Sequence, residues 1–234
     1  MKIAIEEAFA TDALIDAWRV MIADGAPGEA GMIHHLDRLI NTSRGWGAQV
    51  AERLVDLGDI RLEQMDSNGI DRQVIAITSP GVQVFDADTG NALAREANDI
   101  LADAVKAHPA RFTGLAAIAP QSPRTAAREI ERALVLGLKG VMVNSHTKGE
   151  YLDAVCYRPI LEAAESLDTP LYIHPRPVPP SMDSTFSERH LSGSMWGFQT
   201  DTALHALRMI LAGIFDEFPD LRVVLGHLGE GLPF

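Results

Sequence analysis

The sequence predicts an α/β fold, a (β/α)8 TIM barrel of which about the first six strands lie within these 234 residues. Two observations lead there, and a missing motif supports them. Short apolar or β-branched runs alternate with stretches whose apolar residues recur every three or four positions. Nearly every one of those short runs ends on a polar group. An open nucleotide-binding sheet, the main alternative for such an alternation, calls for a glycine-rich turn after the first strand, and "AIEEAFAT" has none. Polar groups at consecutive strand ends converge on one pocket in a barrel, whereas an open sheet spreads them along an edge.

The strands are expected at Lys2–Ile5, Gln73–Ile77, Phe112–Ile118, Gly140–Val143, Leu171–Ile173 and Arg222–Leu225. All are apolar enough to be buried on both faces, which suits a parallel sheet covered by helices. Helical spacing covers residues 12–23, 51–69, 91–109, 124–137, 157–168 and 202–219, with Gly69, Pro109, Gly137 and Pro219 where helices should stop. Residues 23–47 and 175–197 read as long loops, and long loops in a compact domain are usually lids or site walls. No linker, repeat or low-complexity run divides the chain, so residues 1–234 are expected to form one domain.

Composition limits the function. Apolar residues make up 47% of the chain, ample for a core, and the formal net charge of −12 argues against nucleic-acid or anionic-membrane partners. The single cysteine, Cys156, fits a reducing compartment, and no signal peptide or spanning segment is visible, so a soluble cytoplasmic protein is expected.

The expected tips are Glu6, Thr78–Ser79, Gln121, Asn144, His174 and His227. In "PLYIHP" an apolar run delivers His174 and Pro175 then stops the strand, a placement that suits a metal ligand better than a satisfied core histidine. Glu6 and Glu7 close the first apolar run. Side chains alternate along a strand, so only one of the two can face the pocket. The other fits the start of the following helix, near its positive dipole end.

"AIEEAFAT", "IAITSPGVQ", "GVMVNSHTKGEYLD", "PLYIHP" and "VVLGHLGEGLP", in this order along the whole chain, resemble the metal-dependent decarboxylase branch of the amidohydrolase superfamily. Within it the resemblance is nearest to the 5-carboxyvanillate decarboxylases, because Ala8 stands where the resorcylate enzymes look different and because of "TSPGVQ" and "NSHT". The resemblance implies an amidohydrolase-type barrel and non-oxidative loss of CO2 from an ortho-hydroxy aromatic acid, 5-carboxyvanillate or a related hydroxybenzoate. It implies Glu6 and His174 as metal ligands with Glu7 structural, His227 beside the substrate, and Glu230 orienting its ring. It also places Thr78, Asn144, His146 and Phe198 on the substrate side, with a structural hydrogen-bonding role for His146 and a core position for Phe198 as the alternatives. Arg44 is a looser match for a partner of the substrate carboxylate, with a solvated loop arginine as the alternative. A histidine with carboxylate and water is an oxygen-rich set that suits Mn2+ better than Zn2+, and the resemblance implies Mn2+ too. A homo-oligomer, dimer or tetramer, is expected. The histidines at 34, 35, 190 and 205 show no ligand spacing and are expected on the surface or in a lid.

The family pattern continues past Phe234 with an arginine, two more strands and an aspartate at the eighth tip, so the chain is expected to be a piece of a longer protein. Two other readings stay open: a hydrolase of a lactone or amide in the same superfamily, against which the absent "HxH" counts, and a catalytically dead truncated homologue.

Overall fold

Parallel pairing in sequential order builds the wall of the molecule in this computed structural model, which describes residues 1–25, 36–37, 40–41 and 45–233. Strands β1 (Ile3–Phe9), β2 (Arg72–Ile77) and β3 (Phe112–Gly114) form one sheet in the order β1-β2-β3. Strands β4 (Ala116–Ala117), β5 (Val141–Val143), β6 (Leu171–Ile173) and β7 (Val223–Leu225) form a second in the order β4-β5-β6-β7. Every pairing is parallel. Such pairing requires a crossover after each strand, and helices supply the crossovers. The expected wall of parallel strands in neighbour order is therefore present, and β1 and β7 are its two edges.

The run expected as one strand over Phe112–Ile118 divides at Leu115, whose N–H donates to Ile75 O while the next N–H, of Ala116, donates to Gly140 O. Pairing thus passes from β2 to β5 within two residues. A side chain replaces the lost β2 partner at the next position: Asn98 accepts from Ala117 N at 2.7 Å and donates to Ala117 O at 2.9 Å. Asn98 sits in helix α4 (Ala87–Ala107), so that helix completes the bend.

Strand β1 is longer than expected and changes the setting of the two glutamates. Ile3 pairs with Arg72 and Ala4 with Gln73, but Glu7 pairs with Ile75, so one extra residue bulges out between Ala4 and Glu7. Glu6 and Glu7 consequently lie inside the strand and not at its tip. A bulge re-aims neighbouring side chains, a common device beside functional sites.

The remaining helices differ from expectation mainly at their breaks. The helix expected over 51–69 is two, α2 (Gly45–Val55) and α3 (Asp59–Ser67). Asp56 Oδ1 accepts from Gly58 N and Arg61 N and so ends one helix and starts the next. α1 (Asp12–Ala23) starts on Thr11, whose hydroxyl accepts from Leu14 N. α5 (Pro123–Leu136) ends at Gly137, with φ of 104°, and α6 is Arg158–Ser166. The expected loop at 175–197 contains a helix, α7 (Pro180–Ser187). The helix expected at 202–219 starts earlier and breaks at left-handed Gly213, giving α8 (Gly197–Leu211) and α9 (Ile214–Glu217).

The main core lies between the wall and the helices, with Ile75, Ile77, Leu101, Phe112, Ile130, Val141, Ile160 and Leu171 among its members. A second, smaller cluster of Ala76, Leu115, Met142 and Tyr172 fills the concave side below the tips. Among the described residues no helix is long and apolar enough to cross a membrane.

Candidate metal centre

Glu6, His174 and His227 come together from β1, the end of β6 and the turn after β7. A carboxylate oxygen and one ring nitrogen from each histidine all lie within 4.8 Å of one another. Three ligands spread evenly at about 2.0–2.2 Å around one ion stand at most about 3.8 Å apart, so closing on a shared ion takes at most on the order of an ångström. Among the described residues this is the one such group of His, Cys, Asp and Glu.

Each histidine has its Nδ1 engaged by its own neighbourhood. His174 Nδ1 stands 2.7 Å from Pro175 O, and His227 Nδ1 stands 2.6 Å from Glu230 Oε1. Carbonyl and carboxylate oxygens only accept, so Nδ1 carries the proton in each ring and Nε2 keeps its lone pair when the ring is neutral. Burial first, and then the nearby His227, push the His174 pKa down to about 4, which keeps its ring neutral at physiological pH. The His174 and His227 rings meet edge to face with centroids 5.1 Å apart, and the Phe198 ring stands 6.1 Å from that of His227.

Glu6 is held by backbone: its Oε1 accepts from His227 N at 2.9 Å. Glu7 turns elsewhere, accepting from Gln73 Nε2 at 3.0 Å, and Gln73 Oε1 in turn accepts from the buried Arg61. The partition of the two glutamates is therefore visible in their partners. A small cavity of about 20 Å³ is lined by Glu6, Glu7, Ala8, Thr78, Met142 and His174 among others. Ala8 contributes only a methyl group there.

The other expected site residues are placed less uniformly. Thr78 follows β2, its N–H donates to Phe9 O, and the residue lines the small cavity. Asn144 follows β5 and is 1% exposed; its N–H donates to Gln83 Oε1 at 2.6 Å, and its Oδ1 has no hydrogen-bond partner in the protein. His146 is fully buried, with Nε2 donating to Pro177 O and Nδ1 accepting from Gly149 N. Both its nitrogens are thus spent on backbone, and it holds the 144–149 turn to the segment after β6. Arg44, and the histidines at 34 and 35, lie outside the described residues.

One expectation is overturned here. His205 is not a surface or lid residue but fully buried in α8, with Nδ1 3.1 Å from Ser145 Oγ and Nε2 accepting from Leu152 N. Burial pushes its pKa down to about 3. Beside it, Tyr151 donates to Asp201 at 2.7 Å, and burial raises the Asp201 pKa to about 6. The helical period of 202–211 carries His205 onto the same face as Met209, which could have flagged it as buried. His190, by contrast, is exposed.

Sequence reasoning also missed Gln83. Its Nε2 faces Asn144 O, His146 O and Thr147 Oγ1, the last at 2.8 Å. "TSPGVQ" and "NSHT" are therefore two halves of one clamp that ties the tip of β2 to the tip of β5.

A family model described as Amidohydrolase matches residues 15–233. The chain is 38% identical over 244 residues to a gamma-resorcylate decarboxylase of Polaromonas sp., covering 100% of this chain and 68% of that one. Among solved structures it superposes with a TM-score of 0.96 and 46% identity on a 5-carboxyvanillate decarboxylase of Novosphingobium aromaticivorans carrying manganese and 3-methoxy-4-hydroxy-5-nitrobenzoic acid. That match covers 100% of this chain and 67% of the other. A dihydroxybenzoic acid decarboxylase of Polaromonas sp., with manganese and 2-nitroresorcinol bound, gives a TM-score of 0.81 at 37% identity, covering 99% of this chain and 67% of the other. The chain spans 60 to 68% of the length of the gamma-resorcylate decarboxylases it matches. With a family match over nearly its whole length, and strand-borne Glu6 and His174 facing one another, the chain belongs to the amidohydrolase family.

Proposed function

We propose that this chain, as one barrel domain over residues 1–234, carries the greater part of the active site of a metal-dependent decarboxylase. Its substrate is an ortho-hydroxy aromatic carboxylic acid, with 5-carboxyvanillate the first choice and γ-resorcylate and 2,3-dihydroxybenzoate next. The observation that carries the reading is the meeting of Glu6, His174 and His227, with each histidine's Nδ1 already bonded to an acceptor. Support comes from relatives at 46% and 37% identity that bind manganese together with hydroxylated nitroaromatic compounds.

The donor set fits a divalent cation. One carboxylate and a neutral imidazole, completed by water or substrate oxygens, form an oxygen-rich shell that favours Mn2+, with Zn2+ second. Held by Glu6 and His174, the cation would act as a Lewis acid and template toward the substrate's carboxylate and adjacent phenolic oxygen.

The chain's own residues then divide the remaining work. Phe198 walls one side of the site, beside His227. Thr78 offers a hydroxyl at the tip of β2, and Asn144 an unpartnered amide oxygen at the tip of β5. His227, its ring fixed through Nδ1 by Glu230, presents Nε2 toward the substrate, where it can hold or return a proton. Protonation of the ring carbon bearing the carboxylate, followed by cleavage of the C–C bond, releases CO2. The buried His146 acts in this reading by holding the 144–149 turn. A cytoplasmic setting is part of the same reading, which the lone cysteine, Cys156, free of any disulfide, supports; so is a homo-oligomer, dimer or tetramer.

The test is an ultraviolet assay of the three acids with Mn2+, using the longest protein that contains this sequence. Loss of CO2 from at least one supports the reading. Hydrolysis of a lactone or amide with every hydroxybenzoate left untouched would replace it with the hydrolase alternative.

A further inference from the structure

Gly226, between β7 and His227, has φ of −63° and ψ of 166°, a conformation that any residue adopts. Backbone freedom is therefore no reason for a glycine at this position. Crowding is the reason: a Cβ there would stand 2.8 Å from Glu6 Oε1, 2.9 Å from Pro175 Cδ and 3.1 Å from Tyr172 Cε1. Only a residue without a Cβ lets the carboxylate lie against the backbone of the β7 tip and accept the His227 N–H at 2.9 Å.

Tyr172 approaches the same carboxylate from below. It precedes His174 by two residues, so both side chains point to the concave side of the wall. There Tyr172 packs with Ala76, Leu115 and Met142, and burial first, then the nearby Glu6 carboxylate, raise the pKa of its hydroxyl. The carboxylate is thus met by groups from two strands other than its own.

We propose that Gly226 and Tyr172 are positioning residues for Glu6. Gly226 lets Oε1 be committed to His227 N and leaves Oε2 as the oxygen offered to a divalent cation, while Tyr172 restrains the same carboxylate from β6. The inference rests on Glu6 being a metal ligand and goes beyond it by assigning the coordination mode and the residues that impose it. Preorganising a ligand in this way lowers the cost of ordering it when the ion binds.

The test uses Mn2+ alone, followed by calorimetry and by the electron paramagnetic resonance signal of free Mn2+, together with crystal structures of the variants. Gly226→Ala is expected to bind Mn2+ more than tenfold more weakly, with an unchanged far-ultraviolet dichroism spectrum and with Glu6 Oε1 displaced from His227 N. Gly193→Ala, at a glycine with nothing within 4 Å of the added carbon, should bind as the parent does. Tyr172→Phe keeps the packing and removes only the hydroxyl, and is expected to weaken binding about tenfold, the scale of one hydrogen bond to a charged group. Should Gly226→Ala fail to fold, Tyr172→Phe decides: parent-like affinity with Glu6 unmoved overturns the proposal. Parent-like Mn2+ affinity in a folded Gly226→Ala overturns it as well. A parent chain that binds no Mn2+ sinks the metal-site reading itself, an outcome distinct from either variant result.

Discussion

His227 Nδ1 lies 2.6 Å from Glu230 Oε1, and the two residues are joined by a turn in which His227, Leu228, Gly229 and Glu230 all have positive φ. Such a run is costly for three residues that carry a Cβ, and it persists because it folds the carboxylate back onto the ring. Glu230→Ala should free the imidazole to rotate and to change tautomer. Turnover is expected to fall by about 10²–10⁴-fold, the range for losing a positioned acid–base group. Mn2+ affinity should stay near that of the parent, because the reading gives the metal to Glu6 and His174. Steady-state rates and a metal-binding titration on the same variant check both halves, and a parallel loss of metal would make His227 a ligand.

His174→Ala and Glu6→Ala are each expected to abolish tight Mn2+ binding and turnover together. The loss should exceed the ~10–100-fold typical of removing an outer partner of a metal ligand. Titration of each purified variant with Mn2+ tests this, and parent-like affinity in either would remove that residue from the proposed site.

Stability should fall on acidification below about pH 6.5. His205 is neutral when folded, with its pKa pushed from 6.5 to about 3 by burial, and burial lowers that of His146 likewise. A depressed pKa contributes stability that is present above the unfolded value and is lost as the pH drops toward the folded one. Asp201 opposes this between 3.8 and about 6, where its raised pKa makes the folded state hold the extra proton. With His174 also depressed, to about 4, three histidines stand against one aspartate and leave about two net protons taken up on unfolding, a slope of roughly 2.7 kcal/mol per pH unit. Urea melts from pH 7 to 4 should show that slope, and His205→Gln should reduce it.

Asn98→Ala should destabilise the fold by about 3 kcal/mol, because it leaves the buried N–H and carbonyl of Ala117 and a carboxylate oxygen of Glu129 without this partner. Asn98→Asp keeps the acceptor, loses both donors and sets a second carboxylate against Glu129, so it should be no better. Equilibrium urea denaturation measures both. Parent-like stability in Asn98→Ala would show that the bend between β3 and β4 holds without a side chain.

The sequence by itself determined the parts whose causes are local. Apolar runs of strand length, separated by helical periods with glycine or proline at their ends, were enough for the parallel wall and its order. The abrupt stop of "PLYIHP" was enough to single out His174, and the resemblance of "GHLGE" to a known pattern brought in His227 with Glu230. Contacts between distant segments were left to the tertiary structure. The bulge that places Glu6 and Glu7 inside β1 arises because β1 must match the register of β2. His205 is buried because α8 packs that face against the turn carrying Ser145 and Leu152. Gln83 and Asn144 are 61 residues apart in sequence and meet only when the tips of β2 and β5 come together. Gly226 looks like an ordinary turn glycine until the fold brings the oxygen of Glu6 to within 2.8 Å of where its side chain would begin. Periodicity records which face of an element is buried; which partner meets that face depends on packing across the chain, and no local pattern encodes it.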